Sequence, residues 1–173
     1  YVWYCGLDYG STDGHPTVFT VICQDSTGTY NAVWDERYIP SANQLDVETT
    51  ANELKSKYPI QTFFVDHNRP DFAQALRACG HRVQLAKKGP DSVMYGIQLV
   101  RQLLFCTESG FPHLFFNSDK INKLVGEIEN YCYKPGTEAP DKAAGGDDGC
   151  DSMRYCLTMI ADKKRRGRIR DYE

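Results

Sequence analysis

A chain of 173 residues with 41% hydrophobic and 12% aromatic content suits one domain with a substantial core. Its net charge of −3 and pI near 5.8 exclude a globally basic nucleic-acid binder, and no apolar run reaches the length of a membrane span. The seven cysteines form no C-x-x-C pair and lack zinc-site spacing, so they read as small buried hydrophobes of a reducing compartment. With no initiator Met and no signal peptide, the chain reads as a segment of a longer or processed protein.

The apolar run Tyr1 to Leu7 is a strand that ends on Asp8 and breaks into Gly10-Ser11-Thr12-Asp13-Gly14, which is turn chemistry. Pro16 to Cys23 is β-rich, Gln24 to Gly28 is a hairpin turn, and Thr29 to Tyr38 alternates and pairs back. Three antiparallel strands therefore open the chain. Ser41 to Lys57 is expected to be a helix that Pro59 ends. Ile60 to Asp66 repeats the opening pattern of an apolar strand closed by an Asp. Pro70 then suits the first turn of a helix over 71–79 that stops at Gly80. Arg82 to Ala86 is a short strand, followed by the basic turn Lys87-Lys88-Gly89-Pro90.

Asp91 or Ser92 is expected to cap a helix whose apolar face is Val93, Met94, Ile97, Val100, Leu103 and Leu104. Phe111 to Phe116 is a further strand. Asn117 or Ser118 is expected to cap a helix over 119–131 that buries Ile121, Leu124, Val125 and Ile128. Tyr133 to Gly146 reads as a loop and Asp147 to Ala161 as a last helix, with Tyr155, Cys156 and Met159 in the core. Six of the eight residues from Lys163 to Arg170 are basic. The expected organisation is one α/β domain over 1–162, a mixed sheet of an antiparallel meander plus parallel strands flanked by helices, and a basic C-terminal tail over 163–173.

Two strands thus end in Asp, at 8 and 66, and parallel strand ends converge at the carboxyl edge where α/β sites form. The last helix adds Asp147, Asp148 and Asp151, which neighbour one another at helical spacing. Each Asp has a local alternative: Asp8 and Asp66 as turn caps, Asp147 or Asp148 as a helix cap. Gathered together, the carboxylates repel, by roughly 4 kcal/mol for two charges about 4 Å apart at an effective dielectric near 20. A divalent cation offsets that cost, and all-oxygen ligands suit Mg²⁺ or Mn²⁺ rather than zinc. Two such ions about 4 Å apart are an apparatus for phosphodiester hydrolysis.

Five stretches carry a resemblance in order: Gly6-Leu7-Asp8-Tyr9-Gly10, Val65 to Phe72, Lys88 to Ile97, Glu127 to Tyr131, and Asp147 to Tyr155. Together they resemble the nuclease domain of the large terminase subunit of tailed bacteriophages, which has an RNase H-like fold. The resemblance spans nearly the whole chain. It implies that Asp8, Asp66 and Asp151 are the catalytic, metal-binding acids of a two-ion endonuclease that cuts concatemeric double-stranded DNA. Where the family often has His in the last motif, this chain has Asp148, either a fourth metal ligand or an acid that tunes the site.

The resemblance further implies an ATPase motor domain in the parent chain, the small terminase subunit and the portal as partners, and the host bacterial cytoplasm as location. No G-x-x-x-x-G-K-[ST] motor motif occurs in this segment. Lys87 and Lys88 in the basic turn, and Arg165 and Arg166 in the tail, are candidate DNA-phosphate contacts, against a solvated turn and a plain tail. Asp13 either reaches the metals or belongs to the turn. His15 and His67 position water or phosphate or are surface histidines, and Arg154 pairs with a nearby carboxylate. The rival readings are a Holliday-junction resolvase or transposase-like enzyme of the same fold group, and a non-catalytic module that docks on DNA or a capsid.

Overall fold

A computed structural model describes residues 1–12, 14–87, 89, 91–106, 110–137, 140–141 and 146–170, with side chains described as far as Lys163. Six strands form one sheet in the order β5-β4-β1-β2-β3-β6. The opening meander is β1 (Val2–Asp8), β2 (Thr17–Gln24) and β3 (Asn31–Ile39), joined antiparallel. β4 (Ile60–Val65) runs parallel to β1, β5 (Val83–Leu85) parallel to β4, and β6 (Leu114–Phe116) parallel to β3.

The pleat sorts the side chains into two cores. Cys5, Leu7, Phe19, Val21, Phe63 and Val65 face α1 (Gln44–Lys57) and α2 (Pro70–Ala78). Tyr4, Ile22, Val33, Phe64 and Leu114 face the other layer, α3 (Ser92–Leu104), α4 (Lys123–Asn130) and α5 (Asp148–Arg170). By the same alternation Asp8 lies on the Tyr4–Gly6 side of β1, and Asp66 continues the Phe64 side of β4. Both acids therefore stand on the sheet face that α5 covers.

Several local expectations change. α1 begins at Gln44 rather than Ser41 because Asn43 caps it: the Asn43 side chain accepts from Asp46 N at 3.1 Å while Asp46 accepts from Asn43 N at 2.9 Å. α4 starts at Lys123, four residues past the expected position, since Asn117 turns the chain locally and accepts from Asp119 N at 3.3 Å. The first-turn amides of α4 are taken by Glu36 of β3, which accepts from Asn122 N, Lys123 N and Leu124 N at 3.1, 2.8 and 3.0 Å. β6 is only three residues long.

α5 does not stop at Ala161. Its backbone continues to Arg170, and Lys163 lies over the rings of Tyr4 and Phe64 at 4.9 and 4.8 Å. The first residue of the expected tail thus packs on the sheet. Cys79, Cys106 and Cys132 are exposed, while Cys5, Cys23, Cys150 and Cys156 are buried.

Asp35 of β3, held by residues at the end of α1, is only 1% exposed. It accepts from Tyr58 Oη at 2.7 Å and Lys57 Nζ at 3.0 Å, and pairs with Arg37. Burial opposes its charge, yet Tyr58, Lys57 and Arg37 outweigh burial and hold the carboxyl below the ordinary range. A depressed folded-state pKa stabilises the fold fully above the unfolded carboxylate value of about 3.9, and that contribution declines below this value and is gone once pH has fallen through the lower folded-state pKa. We expect the urea midpoint to drop between about pH 5 and pH 2, and Asp35→Asn to flatten that drop. An unchanged slope in the variant would remove Asp35 as a cause.

Candidate active site

The site assembles from three elements. β1 and β4 are parallel neighbours whose ends align: Leu7 pairs with Val65, and Asp66 N donates to Leu7 O at 3.1 Å. Asp8 and Asp66 are thereby side by side at one sheet edge. Glycine decides how α5 joins them. A Cβ on Gly6 would stand 2.0 Å from Ser152 O, so α5 lies directly on the backbone of β1, at the one residue that has no side chain to hold it off. Ser152 Oγ and Thr20 Oγ1 share a hydrogen bond of 2.9 Å that fixes this seat. Asp151, immediately before Ser152, is delivered to the same edge.

The convergence is electrostatic as well as topological. Burial raises the pKa of the Tyr155 phenol, and the charges of Asp8, Asp151 and Asp66 raise it further. Three carboxylates from three elements thus act on one phenol.

The loops behind β1 and β4 are clamped together. Tyr9 and Phe72 rings lie 4.1 Å apart, the Arg69 guanidinium sits 4.0 and 4.2 Å from their centroids, and Arg69 pairs with Asp71 at 2.8 Å. Asp66 is 8% exposed. It accepts from Asn68 N at 3.2 Å and Asn68 Nδ2 at 3.3 Å, and His67 Nδ1 lies 2.9 Å from its Oδ1. It caps its own turn and faces the shared edge at once. Arg154, buried between α3 and α5 where Gly96 leaves room for it, donates to Asp151 Oδ1 at 2.8 and 3.2 Å.

Asp147 and Asp148 are both buried at the start of α5, and Asp147 O accepts from Asp151 N at 2.7 Å. His15 Nδ1 lies 3.5 Å from Asp148 Oδ1, which brings the loop after Asp8 against the acidic helix. Lys87 stands just past β5 at the same sheet edge and pairs with Asp162 of α5. The two flank a groove of about 410 Å³ also lined by Ser92, Tyr95, Arg154 and Tyr155. Asp13 and Lys88, and the side chains of Arg165 and Arg166, lie outside the described residues.

The donor set is carboxylate oxygen, the chemistry that suits Mg²⁺ or Mn²⁺. Among the described residues no three His, Cys, Asp or Glu side chains are gathered into a group that could hold an ion as they stand. Arg154 keeps the Asp151 carboxylate turned toward itself. The residues fit a hard cation in donor type and in shared face.

Sequence reading gave no role to Glu36, and quoted Glu127 only as the first residue of a motif stretch. Glu127 of α4 is 6% exposed and accepts from Gly149 N at 2.9 Å and Cys150 N at 3.1 Å, the first amides of α5. Burial pushes its carboxyl up, and Tyr38 and the two amides pull it back. The available signal was a charged residue on the stripe of Leu124 and Ile128, where only apolar side chains were expected.

No family model and no curated protein matches the sequence. Solved structures do match. The large-terminase nuclease domain of bacteriophage SPP1, with bound Mn, superposes with a TM-score of 0.67 at 22% identity, covering 92% of this chain and 86% of that one. The large-terminase nuclease of thermophilic phage G20c, with bound magnesium, gives 0.63 at 19% identity over 91% and 80%. The large terminase of a thermophilic bacteriophage in complex with ATP-γ-S gives 0.72 at 20% identity, over 89% of this chain but only 38% of that protein. The fold is therefore an RNase H-like α/β fold. Within that class it is the fold of the nuclease domain of phage large terminases. No helix among the described residues is long and apolar enough to cross a membrane.

Proposed function

We propose that this chain is the nuclease domain of a viral DNA-packaging large terminase, a Mg²⁺- or Mn²⁺-dependent endonuclease that cuts double-stranded DNA with little sequence preference. The observation that carries this reading is the arrival of Asp8, Asp66 and Asp151 at one sheet edge from β1, β4 and α5. Asp8, on the central strand, would bind two ions, Asp66 one of them and Asp151 the other, with Asp148 as a further acid one turn before Asp151. Bound there, such ions supply activation of the attacking water and stabilisation of the departing 3′ oxygen.

The chain's own residues orient this machinery. His67 and Asn68 fix the Asp66 carboxylate, and Arg154 sets the rotamer from which Asp151 enters the site. Lys87 offers an ammonium to a backbone phosphate on leaving Asp162, and the helical basic run at the end of α5, with Arg165 and Arg166, extends that attraction. In the parent protein an ATPase motor domain would feed DNA to this edge. The small subunit and the portal would be its further partners, in the cytoplasm of the bacterial host.

The test is supercoiled plasmid incubated with the chain in Mn²⁺, Mg²⁺ or EDTA. Nicking and linearisation in either metal and none in EDTA are expected. A chain that neither cuts nor gains thermal stability from metal would sink the reading. In the same assay Lys87→Ala should weaken DNA binding to all sequences alike and lower the salt slope by about 1. An unaltered slope would remove Lys87 from the DNA path.

A further inference from the structure

The helix that delivers Asp148 and Asp151 is held at its start by a neighbouring helix. Its first amides are satisfied from another helix, by Glu127 of α4 through Gly149 N at 2.9 Å and Cys150 N at 3.1 Å. The start of α4 is in turn held from the sheet by Glu36 through Asn122 N, Lys123 N and Leu124 N. Two carboxylates borrowed from neighbouring elements therefore run in series from β3 through α4 to α5. Charge-assisted bonds of this kind are about twice as strong as neutral ones, and a negative charge at a helix N-terminus also meets the helix dipole.

The junction is built closely. A Cβ at Gly149 would stand 2.0 Å from Tyr38 Oη and 2.8 Å from Glu127 Oε2, so glycine is what lets β3 and α4 both reach the helix start. Gly149 lies between the two acids of the site. Any slip or roll of the first turn of α5 moves Asp148 and Asp151 together. Ser152 pins the turn to the sheet on one side, through Thr20, and Glu127 pins it on the other.

We infer that Glu127 is a positioning residue that sets where α5 presents Asp151 and Asp148 at the shared edge. It touches neither substrate nor the reacting atoms, and it acts through the Gly149 and Cys150 amides. This inference rests on the metal-nuclease reading above and adds to it the residue that aligns the helical half of the site.

The test uses the 173-residue chain with Glu127→Ala and Glu127→Gln, each checked for folding by circular dichroism. Mn²⁺ affinity is read from the free-ion electron paramagnetic resonance signal, amide exchange at Gly149 and Cys150 by NMR, and KM and kcat on plasmid. Folded Glu127→Ala is expected to bind Mn²⁺ about 10-fold more weakly, exchange both amides faster, and lose kcat while KM for DNA stays within about 2-fold. Glu127→Gln keeps an acceptor oxygen for both amides and is expected to recover Mn²⁺ affinity to within about 3-fold. Wild-type Mn²⁺ affinity in folded Glu127→Ala overturns the positioning role. So do equal losses in both variants, since the side chain would then act by its charge alone. If wild type itself binds no Mn²⁺, the metal-nuclease reading falls first and this one with it.

Discussion

Asp66→Ala is expected to slow metal-dependent plasmid cleavage by about 10³-fold, equivalent to roughly 4 kcal/mol of lost transition-state stabilisation. The fold should survive. The variant loses the hydrogen bonds to Asn68 and His67, worth about 1 kcal/mol, and is relieved of repulsion between Asp66 and Asp8 on the adjoining strand. Its melting temperature without metal should therefore stay near wild type. What should vanish is the stabilisation that saturating Mn²⁺ confers, about 2.7 kcal/mol at a hundred times the dissociation constant. Asp66→Asn, which keeps the shape and an acceptor oxygen, separates the turn from the charge: it should restore the turn and remain inactive. Cleavage by Asp66→Ala at the wild-type rate would falsify the assignment of this carboxylate.

Gly6→Ala is expected to lift α5 from the sheet and to cost both stability and activity. The added Cβ would meet Ser152 O at 2.0 Å, Ser152 C at 2.9 Å and Thr20 Oγ1 at 3.0 Å. The first two are backbone atoms, so no rotamer change relieves the contact and α5 must lift from the sheet. Overpacking of this kind costs about 3 kcal/mol or more. Lifting α5 also carries Asp151 away from Asp8 and Asp66, and a 1 Å misplacement costs on the order of 10² in rate. Urea denaturation and plasmid cleavage measured together should show both losses. A variant with wild-type stability would mean that the helix seat tolerates a shift that the present packing excludes.

Features whose signals are local were legible in the amino-acid order. Period-2 runs and turn residues marked the three opening strands, and the repeated strand-then-Asp pattern marked Asp8 and Asp66 as strand ends. Helical spacing placed Asp148 and Asp151 on one element, and Pro70 and Gly80 bounded α2 where the structure has it. The ordered set of motifs pointed to the RNase H-like fold, and the superpositions on phage terminase nucleases bear that out. Weak local signals failed where partners came from far along the chain. The start of α4 was placed too early because its cap, Glu36, lies some 86 residues before Asn122. α5 was ended too soon because Lys163 stays in place by covering the Tyr4 and Phe64 rings, a contact that has no trace in helical periodicity.

How the acidic edge is built depends on contacts between elements distant in the chain. That Gly6 is the seat of α5, that Arg154 holds Asp151, that His15 reaches Asp148 and that Glu127 fixes the helix start are all consequences of elements meeting across the sheet. A sequence states which groups can donate, accept or carry charge. Which of them come within 3 Å of one another depends on strand order and helix seating, and those are settled by burying both faces of the β1–β2–β4 core at once.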